Sequence, residues 1–332
     1  MHIASNAEIA AQVRASARVV SIELRNRFRG VDHREALLFE GPNGWAEWSP
    51  FLEYEDEEAA IWLQAAIEFA FGTTPLLKRT RIPVNATLGA IAATGVKAAL
   101  ASFGTFRTVK IKVGGEESSE SDNLARVLEV AKLYPEAKIR LDANGSLTVD
   151  EALQLVEGLS GEGINLEYFE QPCKTIGELA EFRVRVKRID KSFLVAADES
   201  VRKVSDPLAV AQAGAADILV LKVAPLGGIA RAKQIAEEAG LPVVVSSAID
   251  TSVGISMGLH LAGTLENLEY DCGLGTMAMM LADVTDTPLV ATDGYLDVKR
   301  LKANAERLQE LEAEPGRIEW WMQRLDRCLA LL

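Results

Sequence analysis

From residue 83 onward, short β-rich runs alternate with helical stretches, and this alternation limits the fold more than any other feature. Successive polar residues near the ends of these runs are 27, 30, 28, 28, 24, 24 and 25 residues apart, which leaves room for one strand and one helix per step. Those markers are Asn85, Lys112, Asp142, Glu170, Asp198, Lys222, Ser246 and Asp271. Eight such units predict an α/β fold with a parallel sheet closed into a TIM-type barrel. The alternative, an open doubly wound sheet, is disfavoured because the sequence lacks its Gly-rich dinucleotide turn.

The two flanking segments follow other patterns. Residues 17–26 and 34–41 have the composition of two strands joined by a turn, and residues 55–72 have helical periodicity with acidic residues at the start. Together they predict a small α+β unit before the barrel, made of a β-hairpin or meander plus a helix. After residue 298 the pattern becomes helical again, with an apolar stripe that we interpret as core packing. Its residues are Ile318, Trp321, Leu325, Cys328 and Leu332.

The segment TVKIKVGG, residues 108–115, alternates apolar residues with Lys110 and Lys112. Residues two apart on a strand point the same way, so the two ammonium groups share one face. On an edge strand that face would meet solvent, but the strands of a parallel barrel are buried on both faces. We therefore expect both lysines to point into the barrel near its carboxyl-terminal mouth.

Three acids stand at the ends of three consecutive predicted strands: Asp142 in RLDAN, Glu170 in FEQP and Asp198 in ADES. One such acid could be a helix cap, but barrel strand ends converge on one small ring. Three carboxylates in one ring would repel one another unless a cation neutralised them. All-oxygen ligands suit Mg²⁺, with Mn²⁺ as a substitute. His2, His33 and His260 are scattered, so no zinc cluster is expected.

Lys222 ends the sixth strand, so a lysine is expected on each side of the metal site. This arrangement suits removal of a proton from the carbon next to a carboxylate, because a divalent cation stabilises the enolate as it forms. Lys112 is predicted to be the general acid/base, with its pKa lowered by the neighbouring Lys110 and the cation. Lys222 would support the developing negative charge.

The net charge of −13 argues against a nucleic-acid or anionic-membrane surface, since both require clustered Lys and Arg. No uninterrupted apolar run is long enough to span a membrane, and the first residues do not form an export signal. Cys173, Cys272 and Cys328 are few and widely spaced, which favours the reducing cytoplasm. A small-molecule carboxylate is the expected partner, and the oligomeric state stays open.

The motifs VKIKVG, RLDAN, FEQP, ADES and LKVAPLGG, in this order, resemble the enolase superfamily and its muconate-lactonizing-enzyme subgroup. This resemblance covers nearly the whole chain. It implies a modified (β/α)7β TIM barrel at residues 83–298 and an N-terminal α+β capping domain at residues 1–82. Residues 299–332 would then form a helical segment that packs back on the cap.

The segments RFRGVDHREALLFEGPNGWAEWSPFLEY, VNATL, SSAIDTSVG and DCGLGT, with the short length, resemble the bacterial o-succinylbenzoate synthases of menaquinone biosynthesis. In that family a lysine removes the α-proton of 2-succinyl-6-hydroxy-2,4-cyclohexadiene-1-carboxylate and assists departure of the hydroxyl, a syn-dehydration. The resemblance assigns this role to Lys112 and places Lys222 against the enolate. It assigns the metal to Asp142, Glu170 and Asp198.

Other residues at the mouth have weaker assignments. Ser246, Ser247 and the backbone near Gly273–Gly275 are candidate partners of the succinyl carboxylate. Alternatively, they are structural turn residues. Asn144 could contact the substrate or cap a turn, and Glu199 is expected beside the metal ligands. In the cap, the loop around Arg27–Arg29 and the Pro50–Phe51 segment are expected to close over the site, or to serve only cap-to-barrel packing.

Related activities are the main alternatives. An N-acylamino-acid racemase or a dipeptide epimerase would use the same two lysines, but the epimerases typically carry Asp-x-Asp where this chain has Asp271-Cys272-Gly273. A mandelate-racemase type would need a barrel histidine with an acidic partner, and His260 is interpreted as packing. A barrel kept only as a binding scaffold would be expected to have lost a ligand or a lysine.

Overall fold

The computed structural model describes residues 5–28, 30–115, 118–202 and 206–332. The first part is an antiparallel sheet of strand order β1-β2-β3 with two helices. Its elements are α1 (Asn6–Ser16), β1 (Arg18–Phe28), β2 (Val31–Gly41), β3 (Gly44–Trp48) and α2 (Asp56–Phe71). The predicted α+β unit is thus present. Its three strands form a meander, one of the two expected arrangements, and α1 is a helix that the sequence analysis did not predict. We call residues 5–71 the cap.

The second part is built around a seven-stranded parallel sheet of order β11-β10-β9-β8-β7-β6-β5. Its strands are β5 (Ala86–Leu88), β6 (Thr108–Lys112), β7 (Lys138–Asp142), β8 (Leu166–Glu170), β9 (Val195–Ala197), β10 (Ile218–Lys222) and β11 (Val243–Ser246); β4 (Arg81–Pro83) precedes them. The helices are α3 (Val96–Leu100), α4 (Glu120–Leu133), α5 (Val149–Gly161), α6 (Ile176–Ile189), α7 (Glu199–Arg202), α8 (Ala209–Gln212), α9 (Ile229–Ala239) and α10 (Ser252–Thr264). Short 3₁₀ turns lie at Ala93–Gly95, Ala101–Phe103 and Thr276–Met279.

The sheet closes through two residues instead of a full eighth strand. Cys272 forms a parallel bridge to Val84 just before β5, and Gly273 forms one to Ser246 at the end of β11. The sequence predicted eight strands, and the eighth is reduced to these bridges. The expected α/β fold, a modified TIM barrel, is confirmed.

Side chains alternate strictly between the two faces of the barrel strands, as the pleat requires. Val109 and Ile111 are fully buried among the outer helices. The interior contains a separate apolar cluster that includes Tyr168, Val220 and Val244. Above this cluster, at the carboxyl ends of the strands, the interior residues are polar.

Six of the eight polar markers lie at these carboxyl ends, and two do not. Asn85 precedes β5. Asp271 accepts a hydrogen bond of 2.8 Å from the hydroxyl of Thr108, the first residue of β6, and so lies at the amino-terminal end of the barrel. The converging set is therefore made by β6 to β11.

The chain ends with β12 (Tyr295–Asp297), α11 (Ala305–Glu310) and α12 (Pro315–Leu329). β12 pairs antiparallel with β4 outside the barrel. On α12, Trp321 packs edge-on against Trp48 of the cap, with ring centroids 5.3 Å apart. Within the described ranges, no helix is both long and apolar enough to cross a membrane.

Candidate active site

A cavity opens at the carboxyl ends of the barrel strands, beneath the cap. Its lining combines predicted site residues with cap and loop residues: Phe51, Thr87, Lys110, Asp142, Asn144, Lys222, Ser246, Ser247, Ala248, Ile249, Gly273 and Thr276. A larger cleft lies between the cap and the C-terminal segment, near Trp45 and Arg300, and none of the predicted site residues line it. The candidate chemistry therefore belongs to the barrel mouth.

Strand register brings the three predicted acids together. Asp142 and Glu170 are direct partners across β7 and β8. Glu170 pairs with Ala196 of β9, and Asp198 follows two residues later. All three carboxylates are buried, with at most 7% of each residue exposed. Their negative charges must therefore be balanced inside the protein.

Basic side chains provide that balance. The ammonium of Lys110 lies 2.8 and 2.9 Å from the two oxygens of Glu170 and 3.2 Å from Asp142. Lys222 lies 2.5 Å from one oxygen of Asp198, and Arg202 donates to the other at 2.9 Å. The buried charges thus form two sets of ion pairs, one around Lys110 and one around Asp198.

These contacts move the pKa values in different directions. Burial raises the pKa of Glu170 to about 7, even though Lys110 opposes the shift. Burial alone would raise the pKa of Asp198, but Arg202 and Lys222 hold it well below the usual range. Burial alone would lower the pKa of Lys110, but Glu170 and Asp142 raise it well above its usual value. Lys110 is therefore held as a cation.

The oxygen atoms of the three carboxylates are ligands of the type that hard divalent cations prefer. Among the residues that the structure describes, no group of three or more His, Cys, Asp or Glu side chains forms a ready-made metal site. The carboxylates are nevertheless adjacent, buried and bonded to ammonium or guanidinium groups, so their oxygens already face positive charge. Buried all-oxygen donors of this kind are the ligands that Mg²⁺ prefers.

Lys112 is tied to Asn144, which lines the cavity. The ammonium of Lys112 donates to the amide oxygen of Asn144 at 2.5 Å. Asn144 has a φ of 46°, a left-handed conformation that asparagine tolerates better than most residues. Its backbone N–H donates to Asp142 at 3.0 Å, and its amide nitrogen lies 3.4 Å from Glu199. Asn144 thus connects the candidate base with the acids.

Ser246, Ser247 and Gly273 meet at the seam where the barrel closes. The hydroxyl of Ser247 donates to the carbonyl of Gly273 at 2.8 Å and lies 2.7 Å from the hydroxyl of Thr276. A Cβ at Gly273 would lie 2.5 Å from the hydroxyl oxygen of Ser246, so this position has no room for a side chain. Ser246, Ser247 and Thr276 thus place hydroxyl groups in the cavity lining.

The chain matches family models over most of its length. The model described as enolase C-terminal domain-like covers residues 92–302, and the enolase N-terminal domain-like model covers residues 19–70. The o-succinylbenzoate synthase of Mycobacterium ulcerans (strain Agy99) is 46% identical over 314 residues, 95% of this chain and 93% of that protein. That of Mycobacterium tuberculosis (strain ATCC 25618 / H37Rv) is 47% identical over 314 residues, with 95% and 94% covered. The chain belongs to the o-succinylbenzoate synthase family. The resemblance stated from the motifs is confirmed.

Solved structures outside the o-succinylbenzoate synthase family share the fold. Muconate lactonizing enzyme from Pseudomonas fluorescens, complexed with muconolactone, has a TM-score of 0.74 at 21% identity, covering 90% of this chain and 98% of that one. The L-Ala-D/L-Glu epimerase from Bacillus subtilis has a TM-score of 0.72 at 22% identity, covering 87% and 96%. At these identities the likeness supports the architecture alone.

Of the cap residues predicted to lie over the site, one lines the cavity at the barrel mouth. Phe51 lines it, as expected for the Pro50–Phe51 segment. Arg27 is exposed and donates to the carbonyl of Gly30 at 3.1 Å, away from the cavity lining. Arg29 lies outside the described residues.

The sequence analysis did not identify two residues that belong to the site. These are Arg202, which bonds Asp198, and Ile249, which lines the cavity. Arg202 is buried, bonds both Asp198 and Glu199, and donates to the hydroxyl of Tyr54 from the cap at 3.2 Å. Its position four residues after Asp198 on a helical turn was a usable signal. Ile249 lines the cavity with a φ of 61°, and nothing in its local sequence indicates that conformation.

Proposed function

We propose that the protein is an o-succinylbenzoate synthase, which dehydrates 2-succinyl-6-hydroxy-2,4-cyclohexadiene-1-carboxylate to 2-succinylbenzoate in menaquinone biosynthesis. The observation that carries this proposal is the 46–47% identity to proteins of that name over 95% of the chain. The cavity supports it, since Asp142, Lys110 and Lys222 line it. Lys222 also bonds the buried Asp198, and Lys112 bonds Asn144, which is part of the lining. As the sequence predicts, we assign the reaction to the cytoplasm.

Asp142, Glu170 and Asp198 would hold Mg²⁺, with Mn²⁺ as a substitute. When bound, the cation supplies positive charge that stabilises the enolate form of the substrate carboxylate. Arg202 and Glu199 would orient Asp198, because Arg202 bonds Asp198 directly and Glu199 bonds Arg202. Lys110, held as a cation beside Glu170, would favour the neutral form of nearby Lys112.

Lys112 and Lys222 would divide the chemistry between two faces of the substrate. The neutral amine of Lys112 removes the α-proton, and the electron pair left on carbon is delocalised into the carboxylate. The C–O bond to the ring hydroxyl then breaks, and the Lys112 ammonium returns its proton so that water leaves. Lys222 stays charged against the enolate. The ring becomes aromatic, and Lys112 ends as the amine with which it began.

Ser246, Ser247 and the backbone at Gly273 would receive the succinyl carboxylate. Asn144 would hold Lys112 toward the substrate, in keeping with their 2.5 Å contact. The racemase and epimerase alternatives are not favoured, because the relatives that match over nearly the full length carry the synthase name.

The test is turnover of the cyclohexadiene substrate, followed by ultraviolet absorbance with Mg²⁺, with EDTA, and with Lys112→Ala. We expect EDTA to abolish turnover, excess Mg²⁺ to restore it, and Lys112→Ala to lower kcat by about 10²–10⁴-fold. Lys132→Ala, which alters an exposed lysine paired with Glu129, is the matched control and should retain full activity. Undiminished turnover by Lys112→Ala would remove the base assignment. Absence of turnover by the folded, Mg²⁺-loaded protein would remove the synthase assignment.

A further inference from the structure

The loop that follows β11, residues 247–251, forms part of the cavity wall in a conformation that its own sequence disfavours. Ile249 has a φ of 61° and lines the cavity, and it is 3% exposed. A β-branched side chain in the left-handed region clashes with its own backbone, so isolated chains rarely adopt this state. Contacts from elsewhere must hold it.

Arg34, on β2 of the cap, supplies the first of these contacts. It is 3% exposed. Its Nε donates to the carbonyl of Ile249 at 3.1 Å, and its Nη2 donates to the carbonyl of Ser49. The same guanidinium lies 4.4 Å from the ring centroid of Phe51. One buried cation therefore contacts both of the largest apolar residues in the cavity lining.

Glu47, on β3 of the cap, anchors the other end of the loop. Its Oε2 accepts hydrogen bonds from the backbone of Thr251 at 3.0 Å, the hydroxyl of Thr251 at 2.5 Å and the backbone of Gly254 at 3.2 Å. A Cβ at Gly254 would lie 2.8 Å from this carboxylate. The strained residue is thus fixed on both sides by groups from the cap.

We propose that Arg34 is a positioning residue that sets the apolar wall of the cavity, Phe51 and Ile249, against the ring of the substrate. It acts by bonding the backbone of one wall residue, Ile249, and stacking on the ring of the other, Phe51. This inference rests on the proposed function for the identity of the substrate. The role of Arg34 in holding the loop of residues 247–251 does not depend on the identity of the substrate.

The test uses Arg34→Lys, which keeps the buried positive charge beside Glu47. The variant loses the planar guanidinium, which donates to the carbonyl of Ile249 and stacks on the ring of Phe51 at the same time. We expect KM to rise about tenfold or more, with kcat changed much less and Mg²⁺ affinity unchanged. Arg317→Lys is the matched control: it also alters a cap-bonding arginine, but its partner is Glu35 and it does not contact the loop. Unchanged KM in Arg34→Lys would overturn the proposal.

A double-mutant cycle with Ile249→Gly separates positioning from general destabilisation. Glycine adopts positive φ freely, so the loop no longer needs to be held. Arg34→Lys should therefore cost less in kcat/KM in the Ile249→Gly background than in the wild type, by about fivefold or more. Equal costs in both backgrounds would contradict the proposed role.

Hydrogen exchange distinguishes failure of this inference from failure of the synthase assignment. If the wild type does not turn over the cyclohexadiene, amides of residues 247–254 should still exchange faster in Arg34→Lys than in Arg317→Lys. Equal exchange in the two variants would remove the positioning role, whatever the substrate is.

Discussion

Glu47 is a buried carboxylate whose protonation state is coupled to the fold. Burial raises its pKa to about 7, and the nearby Asp250 carboxylate adds to the shift. Hydrogen bonds from Thr251 and Ser49 and the charge of Arg34 oppose it. The folded protein therefore binds this proton more tightly than the unfolded chain does.

This difference predicts a pH-dependent stability. The pKa of Glu47 is raised from 4.5 to about 7. The contribution of its proton to the free energy of unfolding is therefore fully present below about pH 4.5 and is lost as the pH rises through about 7. In Glu47→Gln that loss should disappear. The free energy of unfolding of the variant, relative to the wild type, should rise by up to about 3 kcal/mol over this range. Urea unfolding at a series of pH values measures it.

The control is Glu157→Gln, on the exposed face of α5, which should leave the pH dependence of stability unchanged. A relative stability of Glu47→Gln that does not vary with pH would show that this carboxylate titrates normally in the folded protein.

At the scale of elements, α9 begins with a cap supplied by another helix. Its N-cap position is Gly228, with a φ of 129° and no side chain to accept a hydrogen bond. Glu68 of α2 takes this role, and its Oε1 accepts from the backbone of Ile229 at 2.8 Å and of Ala230 at 3.2 Å. A Cβ at Gly228 would lie 2.3 Å from Glu68, so the glycine makes room for the carboxylate.

Glu68→Ala should therefore lower the free energy of unfolding by about 0.5–2 kcal/mol, the usual cost of losing an N-cap. Thermal or urea unfolding measures the change. Glu237→Ala, which removes an exposed acid of α9 paired with Lys233, should cost much less. Equal effects from the two variants would mean that Glu68 does not cap α9.

The sequence predicts elements well where their signals are local. The helices α4, α5 and α6 each begin with a capping box, at Ser119, Thr148 and Thr175, and their periodicity is visible in the chain. The three candidate acids were selected because predicted strand ends recur at a regular spacing, and the strand register places them side by side. The eighth strand was over-predicted, since two bridged residues suffice to close the sheet.

Features that depend on distant contacts were not predictable. Glu68 is separated from Ile229 by 161 residues, and Arg34 from Ile249 by 215 residues. No local pattern marks an isoleucine with positive φ, because the conformation is imposed by tertiary contacts. The contacts between the cap and the barrel are therefore the part of the structure that is least predictable from the sequence.

At the scale of the whole molecule, α12 ties the end of the chain to the cap. Besides packing on Trp48, the indole N–H of Trp321 donates to Glu35 at 2.7 Å. Arg327 of α12 donates to Asp56 at the start of α2 at 2.6 Å. Since Glu47 and Glu68 join the same cap to the barrel helices, we expect cap, barrel and α12 to unfold together.

Trp321→Ala tests this cooperativity. Trp321 is fully buried, so its removal should cost about 3–5 kcal/mol and leave a cavity beside Trp48. We expect one unfolding transition at a lower midpoint, seen equally by circular dichroism and by loss of enzymatic turnover. Trp320→Ala, at a partly exposed neighbour, should shift the midpoint less. If Trp321→Ala instead melted the cap separately while the barrel kept the wild-type midpoint, the cap and barrel would be independent folding units.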